Sequence, residues 1–201
     1  MNRVRLIATV AFAGFALLGA SLASATTVQK FSRHDLSKKS DSIVMAKVTD
    51  VYSTQDAVSK EIYTYINLNV LESVKGAKGE KTITIRQLGG SVGNLISVVP
   101  GMPGFKTGEE VVVFLSVRDR EGYPWVMGLQ QGKYSVVTDE NGLKHVRNEL
   151  DGITMLSPDG SVDEGKASSD QPLNLFLDGI KTDLNLDGKV KIDTSTPTPI
   201  K

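Results

Sequence analysis

Ser40–Ser53 (SDSIVMAKVTDVYS), Glu61–Gly76 (EIYTYINLNVLESVKG), Lys81–Gly90 (KTITIRQLGG), Gly108–Val117 (GEEVVVFLSV) and Gly128–Val137 (GLQQGKYSVV) share one grammar. Each holds a run of β-branched and aromatic residues, punctuated by Gly, Lys or Asp. In the first, a strand over Ile43–Tyr52 puts Val44, Ala46 and Val48 on one face and Lys47 and Thr49 on the other. The second alternates most clearly. Ile62, Ile66, Leu68, Val70 and Val74 share a face, and Tyr63, Tyr65, Asn67 and Asn69 point the other way. Lys75-Gly76 closes it with a residue free to turn left-handed. Ile83 and Ile85 give a third strand, with Thr82, Thr84 and Arg86 outward. Val111–Val117 is apolar on both faces and predicts a central strand covered on both sides.

Outward from these strands, Ser32–Lys39 predicts one helical turn anchored by Leu36. Trp125–Gln130, Lys133–Thr138 and Leu143–Arg147 predict a closing meander that turns at Asn141-Gly142. Gly89–Gly108 carries six glycines and two prolines, which argues against regular structure and for a binding loop. Residues 152–171 read as a Gly, Ser and Asp linker. Beyond it Leu173, Phe176, Leu177, Ile180 and Leu184 recur at helical spacing after Pro172. The organisation is therefore an export signal over 1–25, a β domain over 26–151, the linker, a C-terminal helix and polar turn over 172–188, and a tail over 189–201. The fold class is all-β, a small OB-like barrel of five to six strands with short flanking helices; closure would hide the strand edges.

The signal rests on Arg3 and Arg5, the apolar run Leu6–Leu18 and the small-residue site Ala23-Ser24-Ala25. Its removal would start the mature chain at Thr26 and place the protein in the periplasm or outside the cell. With no cysteine, disulfides, thiolate metal sites and lipid attachment at cysteine are excluded. Basic and acidic residues balance at 23 each with no basic stripe, which argues against nucleic acid as a partner. No second apolar stretch is long enough to cross a membrane.

A short helix, SDSIVMAKV (40–48), IYTYINLNVLESVKG (62–76), TITIR (82–86), a Gly-rich loop and FKTGEEVVVFL (105–115) together resemble the netrin-like barrel of tissue inhibitors of metalloproteinases. The segments are also similar to exported bacterial domains of unassigned function. The resemblance implies an OB-type barrel and a protein partner, with a metalloprotease as the kind of partner those inhibitors take. Those inhibitors chelate the protease zinc through a disulfide-held N-terminal cysteine. The corresponding residue here is Thr26, without a cysteine to hold it, and ordering an untethered terminus costs entropy.

Gly89-Gly90-Ser91-Val92-Gly93 matches the nucleophile-elbow pattern, which would enlist Ser91 with Asp139 and His145. That motif needs a helix directly after the serine, and Pro100, Gly101 and Pro103 argue against one. The preferred reading has no catalytic residues. Asp183-x-Asn185-x-Asp187-Gly188 matches the first half of a calcium loop. Its twelfth position is Thr194 where a carboxylate should close the shell, so the preferred reading is a polar turn and no cofactor, with a weak calcium site as the alternative. Trp125 and Phe105, with Gly89, Gly90, Ser91 and Thr26, complete the candidate binding residues. For Trp125 the competing expectation is that it fills the barrel end together with Tyr134. The functional expectation is a non-enzymatic binding module that recognises a protein through barrel-end loops.

Overall fold

A computed structural model describes residues 27–166 and 170–185. The signal segment, Thr26, the turn at Asp187-Gly188 and the tail lie outside them. Twelve strands and two α-helices make up the described chain. The main sheet is antiparallel and takes the order β12-β9-β8-β7-β2-β3-β4. Its strands are β2 (Ser42–Gln55), β3 (Ile62–Lys75), β4 (Thr82–Leu88), β7 (Glu110–Leu115), β8 (Lys133–Thr138), β9 (Lys144–Arg147) and β12 (Gln171–Pro172). Seven strands exceed the five or six expected, and by ladders alone the sheet has edges at β12 and β4.

β7 faces covered layers on both sides, as its unbroken apolar run requires. Val111, Val113 and Leu115 join Val44, Ala46, Val48, Ile66, Leu68, Ile83 and Ile85 in one core. Val112 and Phe114 point the other way, into a second core with Ile43, Met45 and Val146. That second core is closed by Leu36 of helix α1 (Arg33–Lys39) and by Leu173, Phe176, Leu177 and Ile180 of helix α2 (Leu173–Asn185). Val74, expected on the face of Ile66 and Leu68, packs into this second core instead. The register shift between Ile43 and Val44 explains it: Ile43 pairs Lys75 and Val44 pairs Ser73, which leaves Val74 out of the ladder.

α1 starts with a capping box. The Asp35 N–H donates to Ser32 Oγ at 3.0 Å and the Ser32 N–H donates to Asp35 Oδ2 at 3.1 Å. Its other end is held by the Lys75 ammonium, which donates to the carbonyls of Ser37, Lys38 and Ser40 at 2.9, 3.0 and 2.6 Å. Burial lowers the pKa of this lysine. Gly76 beside it has φ +59°, and a Cβ there would lie 2.6 Å from Asp41 O. The Lys-Gly pair is thus the joint by which the long hairpin grips the first helix.

Two expectations change. Gly89–Gly108 is not without regular structure: β5 (Gly90–Val92) and β6 (Leu95–Ser97) pair as a hairpin. The 152–171 stretch holds β10 (Thr154–Leu156), β11 (Val162–Glu164) and the first residue of β12. β10 pairs β11 on one side and β1 (Thr27–Gln29), in parallel, on the other. Ile153 and Met155 are buried, so two apolar residues among many turn formers are enough to hold this small sheet.

Candidate functional site

β7 accompanies β2 only as far as Lys47. Beyond that point the β2–β3 ribbon continues to a tip at 56–61, where Asp56 Oδ1 accepts from the N–H groups of Val58 and Ser59. The β5–β6 hairpin packs on this extension. Its base is a short hydroxyl relay. The Gly89 N–H donates to Ile62 O at 2.8 Å, and the Thr64 hydroxyl donates to Gly89 O at 2.7 Å. Ser53 Oγ, 2.9 Å from Thr64 Oγ1, then donates to it. Gly90 lies against both hydroxyls: an added Cβ would sit 2.3 Å from Thr64 Oγ1 and 2.4 Å from Ser53 Oγ. Gly89-Gly90 therefore serves close packing.

The hairpin presents apolar side chains to water. Ile96 is 76% exposed, Val98 79% and Val58, at the ribbon tip, 91%; Leu95 is half exposed. Between the hairpin and the ribbon runs a groove of about 270 Å³, bordered by Gln55, Lys60, Ile62, Leu88, Leu95 and Ile96. Apolar side chains gathered at one end of a molecule mark interaction surfaces more often than isolated ones do. Sequence reading singled out Gly89, Gly90 and Ser91 in this loop and passed over Leu95, Ile96 and Val98. The signal was there, three apolar residues within Leu95–Val98, but the surrounding glycines hid the pairing.

On the outer face of the same ribbon, Tyr52 stacks on Tyr65 with ring centres 5.3 Å apart, and Tyr123 meets Tyr65 edge-on at 5.3 Å. The Arg86 guanidinium lies over the rings of Tyr63 and Tyr123, at 4.8 and 5.5 Å. It also donates to Asp119 Oδ2 at 2.7 Å and to Glu121. Glu121 first, with Asp119, raises the guanidinium pKa further. Burial pushes the Asp119 carboxyl up, but the N–H groups of Tyr123 and Glu121 and the Arg86 charge outweigh it and hold the group below its usual range. These contacts consume one another and fasten the 118–124 loop to β4. They leave little free chemistry.

The remaining predicted residues separate. Ser91 is exposed within a strand, and no helix follows it. His145 Nε2 does meet Asp139 Oδ2 at 3.2 Å, but both lie at the β8–β9 hairpin, with β8 and β7 between β9 and the β2–β3 ribbon on which the Ser91 hairpin packs. The nucleophile-elbow geometry is therefore not assembled. Asp183 belongs to α2 and is buried; Arg33 Nε donates to its Oδ2 at 2.7 Å and His34 Nδ1 lies 3.7 Å from its Oδ1. A cation would have to displace a guanidinium there. Asn185 ends the helix, and Asp187 is outside the described residues. Among the described residues no three His, Cys, Asp or Glu side chains gather in a metal-binding group, and no helix is long and apolar enough to cross a membrane. Phe105 is partly buried against the first core, with Lys133 Nζ 5.0 Å from its ring centre. Trp125 is half exposed, while Tyr134 packs with Phe114 and Phe176; the two do not fill one space.

At the chain start, the buried Gln131 amide bridges the segment that follows the expected cleavage site. Its Oε1 accepts from the Phe31 N–H and its Nε2 donates to Gln29 O, both at 2.8 Å. With the β1–β10 pairing and the Lys30–Asp163 ion pair, this holds β1 to the body without sulfur. No protein-family profile and no curated protein matches the chain.

Proposed function

We propose that the chain is an exported, non-enzymatic binding module on an OB-like, netrin-like barrel, and that it recognises a protein through the β5–β6 hairpin and the β2–β3 tip. The carrying observation is the apolar end formed by Val58, Leu95, Ile96 and Val98, rigidly seated by the Gly89-Gly90 base. Barrel closure is supported by residues 124–126. Val126 bridges Leu115 of β7, and Pro124 O accepts from the Arg86 N–H of β4 at 3.1 Å, so this segment spans the two. A photo-crosslinking residue at Ile96 in the exporting cell should give a discrete protein adduct that the same residue at Glu140 does not. Identical adduct patterns from the two positions, or none at Ile96, would sink the reading.

A second reading, a metalloprotease inhibitor that uses the mature α-amine, gains support from the Gln131 clamp. The entropic objection to an untethered terminus weakens when the next residues are already pinned. Inhibition by a chain starting at Thr26, lost on N-terminal acetylation, is its test.

A further inference from the structure

A groove of about 370 Å³ lies on the opposite edge of the sheet, between α2 and the β9–β12 pair. Its border includes Arg33, Tyr134, Val146, Asp170, Pro172 and Phe176. Arg33 is the unusual member. Its Nε is fixed by Asp183, and its guanidinium lies on the helix backbone at Gly179, where an added Cβ would be 2.5 Å from Nη1. Neither Nη atom has a hydrogen-bond partner among the described residues. The nearby carboxylates each meet a cation: Asp183, behind Arg33, accepts from its Nε, and Asp170 at the border accepts both donors of Arg147 at 2.9 Å. His34 also faces Asp183. The Arg33 fork thus brings two donors to the groove border, where the nearby carboxylates already each face a cation. Val146, Pro172 and Phe176 supply apolar wall beside that fork, and Phe176 is braced by Tyr134 at 4.5 Å between ring centres.

We propose that this groove binds a carboxylate carried next to an apolar group, with Arg33 Nη1 and Nη2 donating to its two oxygens and the apolar group lying against Pro172 and Val146. The size suits one ring or branched side chain with its acid. Two sources offer that chemistry, a small organic acid and the free C-terminus of a peptide ending in an apolar residue. The site is independent of the partner-binding end, since β8 and β7 separate β9 from β2.

The test titrates the exported chain with 3-phenylpropionate and its amide, and with the peptide Gly-Ser-Gly-Ser-Phe carrying a free or amidated end, followed by heteronuclear NMR. An acid should bind saturably and move the Arg33 side-chain and Gln171 backbone resonances, with its amide weaker by about ten-fold or more. Arg33→Lys, which keeps a cation beside Asp183 but removes the fork, should lose about as much. The stronger of peptide and small acid identifies the source. Equal binding of acid and amide, no saturable shift by either acid at millimolar concentration, or unchanged binding in Arg33→Lys overturns the proposal. The acid–amide comparison needs no variant, so it decides even if Arg33→Lys folds poorly.

Discussion

Gly90 shows how little of a glycine's role is visible in a motif. In the sequence it belongs to a nucleophile-elbow pattern; in the fold it is the gap that lets a hairpin rest on Ser53 and Thr64. Gly90→Ala should cost about 2 kcal/mol by urea unfolding, because the added carbon must push apart two bonded hydroxyls at a backbone φ of +134°. An unchanged midpoint would remove the packing account. Asp119 carries a pH signature. Its folded pKa lies below the unfolded value, so its contribution is present above about pH 4 and is lost as pH falls through the lower folded value. Asp119→Asn should therefore be less stable than the parent at neutral pH and lose less on acidification. Parallel pH curves for the two proteins would contradict this. The Arg86 cluster itself was half legible: alternation placed Tyr63, Tyr65 and Arg86 outward, but the partners Asp119 and Tyr123 come from a distant loop.

Among the elements, those with strong periodicity were read from sequence alone. α2 follows its i, i+3, i+4 apolar positions, and β7 follows its continuous apolar run. What escaped was short pairing among turn formers: β5, β6, β10 and β11 are three residues each, below the length at which a period is measurable. At Asp183 the calcium-loop spacing runs across the end of a helix whose last turn already pairs that carboxylate with Arg33, a pairing between distant residues that spacing does not reveal. The contact of α1 with α2 makes a sharp prediction. Replacing Gly179 by Ala should favour the helix intrinsically by about 1 kcal/mol, yet it evicts the Arg33 guanidinium and leaves buried Asp183 poorly paired. Gly179→Ala should thus destabilise the parent by about 1–2 kcal/mol and become neutral or stabilising in an Arg33→Met background. Equal effects in both backgrounds, by chemical denaturation, would show that the two residues do not interact.

For the whole molecule, the exposed apolar end could not be read from composition, because its apolar residues are interspersed with turn-forming glycines. Exposure at Ile96 and Val98 becomes visible only once the hairpin is placed on the ribbon. The two cores have a different lesson. β2 and β7 each send alternate side chains into both, so no plane divides the chain into separately closed halves. The helix layer and the hairpin-bearing ribbon should accordingly melt as one unit, with near-ultraviolet and far-ultraviolet dichroism giving superimposable transitions. Two separated transitions would be at odds with the shared strands. Alternation in β7 is thus a device for cooperativity: any weakening of the helix packing is also a weakening of the distant loops, and the hairpin-bearing end cannot loosen alone without the body registering it.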